Sequence, residues 1–218
     1  MDKSDKVSDI RSGKKGDGGI MENEVIKEQK ETFIKLLKST EREGVDKLIN
    51  YLETKTDFFT APASSKFHNN FDGGLLSHCL NVYKNFKSLL ELRNIDYPEE
   101  SIIITSLCHD LCKVNYYVKE QRNRKVDGKW ESYDFWATGK NIALPLPHSS
   151  RSIRLIKSFI PLKFDEELII FYHMGPYGGE DYEYKNLLQN VNERYPVTLL
   201  FYMADLMSSY MDESRAEN

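Results

Sequence analysis

The sequence predicts a mostly α-helical domain carrying one small β-hairpin insertion. Three observations predict it. Apolar residues recur at helical spacing through most of the chain after residue 24. Strand character is confined to two segments flanking Asp127-Gly128, a dipeptide that favours a tight hairpin turn. Gly44, Gly73-Gly74, Pro98, Gly175-Pro176 and Pro196 cut the apolar pattern into pieces of helix length.

Residues 1–20, MDKSDKVSDIRSGKKGDGGI, have too few apolar side chains to offset the entropy of ordering them. They are expected to form a disordered leader, native or appended, followed by a single helical domain over residues 21–218. Val25, Phe33, Leu36 and Leu37, then Val45, Leu48, Ile49 and Leu52, define two helices broken at Gly44. TDFFTAPASSKFHNNFDGG reads as a loop, with Asp72 a candidate cap for the next helix. That helix, about Gly74 to Arg93, lines up Leu75, Cys79, Val82, Tyr83, Phe86, Leu89 and Leu90 on one face. Pro98-Glu-Glu-Ser opens another, with acidic residues in the first turn where the helix dipole favours them, and this helix carries SIIITSLCHDLCK. VNYYVKEQR and KWESYDFW are the hairpin strands. After ALPLPHSS comes a helix with Ile153, Ile156 and Ile160 on one face. DEELIIFYHMG forms another, stopped at Gly175-Pro176, and Pro196 opens the last, YPVTLLFYMADLMSSYMDE.

With 218 residues, 40% apolar and 29% charged, the chain has the composition of an ordinary soluble globular protein with one sizeable core. A net charge of −4 gives no general electrostatic reason to expect nucleic-acid binding, although a local basic groove stays open. No apolar run approaches a membrane span, and no signal peptide is visible. Three cysteines, with Cys108 and Cys112 one turn apart, fit a reduced, cytoplasmic setting. Both read as small buried apolar residues on a different side of their helix from His109 and Lys113.

Several polar residues sit where apolar ones are expected. His78 adjoins the apolar face of its helix, His109 and Asp110 lie in IIITSLCHDL, His173 ends LIIFYH, and Asp205 interrupts TLLFYMADLM. His148 follows Pro147 at a helix start. A buried carboxylate costs several kcal/mol unless paired or bound to a metal, and no Lys or Arg lies within a turn or two of Asp205. One such histidine is usually a hydrogen-bonded core residue. Four histidines and two aspartates that can converge point instead to a divalent transition metal, because imidazole and carboxylate together suit Mn, Fe, Zn or Co. Six ligands exceed one tetrahedral site, which suggests two metals sharing a carboxylate. GPYGGE lacks the Lys and Ser/Thr of a phosphate-binding P-loop.

The order His78, His109-Asp110, Asp205, each on its own helix, with Lys113 three residues after Asp110, resembles the HD-domain metal-dependent phosphohydrolases. His148 and His173 look like the two intervening histidines of the subgroup with binuclear centres, which includes the HD-GYP cyclic-dinucleotide phosphodiesterases. APASSKFHNNFDGGLLSHCLNVY is similar to the stretch around the first metal histidine in bacterial HD-domain 3′–5′ exoribonucleases and in small stand-alone bacterial HD proteins. The chain departs from that pattern with Ser149-Ser150 after the fourth histidine, where Gly-Glu is common, and with Ser77 before His78, where Glu is common. The exoribonucleases also carry an N-terminal OB-type nucleic-acid domain, for which a chain of 218 residues is expected to be too short.

The resemblance implies an HD-domain helical bundle in which Asp110 bridges two divalent metals (Mn, Fe, Zn, Ni or Co). His78, His109 and Asp205 would complete one site, and His148 and His173 the other. The implied activity is hydrolysis of a phosphomonoester or phosphodiester by metal-activated water. The substrate would be a phosphorylated small molecule, a nucleotide or a single-stranded nucleic acid. The alternative is a non-catalytic metal- and nucleotide-binding HD module. Lys113 can reach the charge that builds on a phosphate, or is a solvated lysine at a helix end. His68 can contact substrate or protonate a leaving oxygen, or is a plain loop histidine. Lys119, Arg122, Arg124, Lys125 and Lys129 make the hairpin basic, which suits steering of a polyanion or simple solvation.

Overall fold

The computed structural model describes residues 18–139 and 145–213. Among them are eight α-helices and a single two-stranded antiparallel sheet, the mostly-α architecture with a hairpin that the sequence predicts. The leader expected over residues 1–20 lies outside the described residues except for 18–20, which begin the first helix.

Helices α1 (Gly18–Ser39) and α2 (Val45–Lys55) form a corner around Gly44. A loop then leads to α3 (Gly74–Leu92), the axis of the fold, which packs against α1, α4 and α8. Its start depends on Gly74: a Cβ there would lie 2.0 Å from the carbonyl oxygen of Asn69, so no other side chain fits that approach. Asp72 does not cap α3 as expected. Gly73 occupies the cap position, and Asp72 pairs with Lys119 of the hairpin at 2.8 Å.

Every residue of α4 (Glu99–Cys108) from Ser101 onward is buried, as befits a helix apolar on all sides. It ends at Cys108 rather than running on to Lys113. His109 closes its last turn, and Leu111–Lys113 form a separate 3-10 turn. The hairpin β1 (Tyr117–Val126) and β2 (Lys129–Thr138) pairs Tyr117 with Thr138 and turns at Asp127-Gly128. Then come α5 (His148–Lys157), α6 (Phe164–Tyr172), α7 (Tyr182–Arg194) and α8 (Pro196–Met207). Ile160 lies past the end of α5, yet it is fully buried, so the apolar spacing persists where the helix does not. Apolar periodicity does not mark α7. Leu188 is its sole buried residue, and its local signal is a cap, with Asp181 accepting from the Tyr184 amide at 2.7 Å.

Two apolar clusters share α3. Leu75, Leu76 and Cys79 pack with Phe33, Leu48, Phe58, Ile104, Leu107 and Ile170. Further along α3, Val82, Phe86 and Leu90 pack with Ile169, Phe201 and Ala204. Fully burying each large side chain contributes about 1.5–3 kcal/mol. His78 sits on α3 at the junction of the two clusters, between Leu75 and Val82. Rigid apolar packing on both sides therefore holds it in place.

Candidate metal centre

All six residues expected to bind metal come together. His78 Nε2 lies 3.3 Å from Asp205 Oδ1 and 3.5 Å from Asp110 Oδ2. His109 Nε2 is 3.5 Å from Asp110 Oδ2, His148 Nε2 2.7 Å from Asp110 Oδ1, and His173 Nε2 3.7 Å from that same oxygen. Four groups are each close enough to hold an ion: His78, His109 and Asp110; Asp110, His148 and His173; His109, His173 and Asp205; and His68, His78 and Glu213. Asp110 belongs to the first two and stands at the centre.

Local structure aims these groups. His109 and His173 both cap the C-terminus of a helix, α4 and α6, and each places Nδ1 against the carbonyl three residues earlier. His109 Nδ1 donates to Ser106 at 2.9 Å and His173 Nδ1 to Ile170 at 2.7 Å. Carbonyls in a helix's last turn lack intrahelical partners, so the contacts satisfy both sides. A carbonyl can only accept, so Nδ1 carries the proton and Nε2 presents a lone pair to the interior. The negative ends of two helix dipoles converge there as well. Gly175 ends α6 just beyond His173 with φ 52, where a side chain would meet the ring of Tyr202. Asp110 sits outside the helix, at φ −105 and ψ 17, in the sparsely populated bridge region common among active-site residues.

Two features of this arrangement are those of a cation site. His173 Nε2 is buried with no hydrogen-bond partner. The inward lone pair of His109 faces His78 Nε2 at 3.2 Å. A divalent cation would satisfy both with the donor types it prefers, nitrogen and carboxylate oxygen.

Electrostatics agree. Burial works against the carboxylate of Asp110, but Lys113, His109 and His148 outweigh it and hold the group well below the usual range. Asp205 is likewise held down, against burial, by His78. Burial disfavours the imidazolium of His78, yet Asp205 and Glu213 raise its pKa to about 10. His148 is raised to about 9, against burial, by Asp110. Burial, reinforced by repulsion from His109, pushes His173 down to about 3 and keeps it neutral.

The residues expected to do chemistry lie beside the cluster. Lys113 Nζ is 2.7 Å from Asp110 Oδ2, with its side chain 13% exposed, so it faces the centre rather than bulk solvent. His68 is held by Ser64, whose hydroxyl accepts from the His68 amide at 2.9 Å and donates back to the His68 carbonyl at 2.9 Å. Its ring lies 5.1 Å from that of His78, tilted by 56°. Cys112 corrects the sequence reading. The break after Cys108 rotates it, and its thiol lies 3.2 Å from His148 Nδ1, against the site, although both Cys108 and Cys112 are buried as expected. On the hairpin, Arg122 lies 3.8 Å from the Phe135 ring, while Lys119 lies 4.9 Å from Trp136. Much of its charge is therefore stacked on its own aromatics.

Glu213 was not anticipated. It lies in the polar stretch MDES, with no periodicity to mark it, and its buried carboxylate bonds His78 Nδ1 at 2.8 Å and His68 Nδ1 at 2.5 Å.

Over 120 residues the chain is 29% identical to the dihydroneopterin 2′,3′-cyclic phosphate phosphodiesterase of Methanocaldococcus jannaschii. The match covers 53% of this chain and 43% of that protein, so less than half of the curated relative is spanned. No family model and no solved structure matches the chain. Among the described residues, no helix is long and apolar enough to cross a membrane.

Proposed function

We propose that this chain is a metal-dependent phosphodiesterase of the HD superfamily, with a binuclear centre bridged by Asp110. The observation that carries the reading is the sharing of Asp110 between two histidine groups whose Nε2 atoms face inward. His78, His109 and Asp205 are assigned to one metal, and His148 and His173 to the other. Distant similarity to a cyclic-phosphate phosphodiesterase supports the reaction class. A small molecule bearing a phosphodiester, a 2′,3′-cyclic phosphate above all, is the first substrate to test, ahead of cyclic dinucleotides and single-stranded RNA.

Two divalent metals bound there would supply Lewis-acid polarisation of the phosphoryl group and a water of lowered pKa. The protein's own residues do the rest. Asp110 sets the spacing of the two groups. Lys113, whose pKa is raised by Asp110 against burial, keeps its positive charge and meets the charge that grows on the phosphoryl oxygens. His68, 16% exposed at its side chain, is assigned to the leaving oxygen as proton donor.

The test is metal content per chain by elemental mass spectrometry, on protein purified without chelator, beside Asp110→Ala. Each is then assayed on bis-p-nitrophenyl phosphate, 2′,3′-cyclic nucleotides, cyclic dinucleotides and a single-stranded oligoribonucleotide. About two equivalents of Mn, Fe, Zn, Ni or Co, lost with the activity in Asp110→Ala, are expected. A chain that stays empty after soaking in metal would overturn the reading. Metal and nucleotide binding without turnover would leave the non-catalytic module.

A further inference from the structure

The four inward-facing histidines do not secure their orientation in the same way. His109 and His173 stand at helix ends, where a spare carbonyl three residues back fixes Nδ1. His148 has the Cys112 thiol. His78 lies inside α3, where the backbone carbonyls nearby are already used by the helix. It needs an acceptor from elsewhere in the chain, and Glu213 supplies one at 2.8 Å.

Glu213 arrives by an unusual route. After α8 the chain widens into a π-helical turn over Ser208–Asp212, a rare geometry that is frequent at functional sites. Asn85 of α3 clamps that turn, donating to Ser208 Oγ at 2.9 Å and to Asp212 Oδ2 at 2.7 Å. The next residue is Glu213, whose side chain is fully buried between His78 and His68.

We propose that Glu213 is a positioning residue of the metal centre. By accepting the Nδ1 protons of His78 and His68 together, it locks the His78 lone pair toward Asp110 and Asp205 and ties the His68 loop to the same ligand. This rests on the cluster being a metal centre. A carboxylate accepts only, so it admits a single tautomer of His78, the one with Nε2 unprotonated. Without it, a neutral ring could turn an N–H toward the metal. The C-terminal turn thereby becomes part of the site, although it contributes no ligand.

The test compares Mn²⁺ and Zn²⁺ affinity, by chelator competition, in wild type, Glu213→Gln, Glu213→Ala and His68→Ala. Circular dichroism and Tm check that each is folded. Glu213→Gln is expected to weaken metal binding about tenfold to a hundredfold, since a carboxamide carries a donor beside its acceptor and no longer admits one tautomer alone. His68→Ala should weaken it by less than about threefold, because the bond to His78 survives. In zinc-loaded wild type, ¹⁵N-resolved NMR should show His78 protonated and strongly hydrogen-bonded at Nδ1, which tests the idea even where a variant fails to fold. Unchanged affinity in folded Glu213→Gln, equal losses in Glu213→Gln and His68→Ala, or no such proton in wild type would each overturn the inference alone. A wild type that binds neither metal would overturn the metal centre and this inference with it.

Discussion

Two clusters of buried charge lie among the described residues, and they are built on opposite principles. At one end, Arg42 reaches between the starts of α4 and α6, bonding Glu166 at 2.9 Å and Glu100 at 3.0 Å. Lys163 also bonds Glu100, and the Lys163 amide donates to Glu166 at 2.8 Å. Donors face acceptors throughout, and nothing is left over for a ligand. At the other end, the six candidate ligands clustered at Asp110 include a buried nitrogen with no partner and two imidazole nitrogens facing each other at 3.2 Å. Buried charge as such is no sign of function. Its informative form is a cluster of acceptors that the protein alone cannot satisfy, since a folded chain tolerates that where something else completes it.

The largest effect should come from breaking the satisfied cluster. Arg42→Met leaves Glu166, which is fully buried, without its counter-charge. It should cost about 3–5 kcal/mol in denaturant unfolding, while the folded fraction keeps its metal stoichiometry by mass spectrometry.

The same kind of change in the other cluster should cost far less. His173→Met removes an unpaired buried nitrogen together with the Nδ1 bond to Ile170, so the two effects offset and metal-free protein should change in stability by no more than about 1 kcal/mol. Metal binding should be lost in step, read by mass spectrometry on the same sample.

pH separates the clusters next. His78 and His148, raised to about 10 and about 9, hold protons at neutral pH that a metal must displace. Metal affinity should therefore climb as pH rises toward 9, by about tenfold per unit for each proton released, the equivalent of about 1.4 kcal/mol. Calorimetry in buffers of different ionisation enthalpy counts those protons. Glu100 behaves in reverse, with its pKa lowered by Arg42 and Lys163 to about 2. Its contribution is present above the ordinary carboxylate pKa and fades only as pH falls toward 2. On acidification metal should leave well before helical circular dichroism declines.

The smallest effect is the control. Lys157 and Glu167 pair at 2.6 Å with both side chains substantially exposed. Lys157→Ala should change stability by no more than about 1 kcal/mol and metal binding not at all. A larger change would mean that exposure does not divide structural charge from incidental charge here.

Much of this was legible in the sequence. Apolar spacing marked seven of the eight helices, and Asp127-Gly128 placed the hairpin turn, because both signals depend on neighbours in the chain. α7 escaped because it buries so little that it leaves almost no apolar period. The six candidate ligands stood out for a related reason: a His or Asp among Ile, Leu and Phe is costly where it lies, and the cost can be read without knowing the partner.

What the sequence by itself determined is which polar residues must be buried, since burial follows from the apolar face each one interrupts. What only the tertiary structure decided is how they are oriented and by whom. Asp110 turned out to lie beyond its helix, Cys112 to touch His148, and Glu213, 135 residues from His78 in the chain, to hold that ring in place. Periodicity reports on residues within a turn or two of one another. A hydrogen bond across such a separation exists only once the helices have packed.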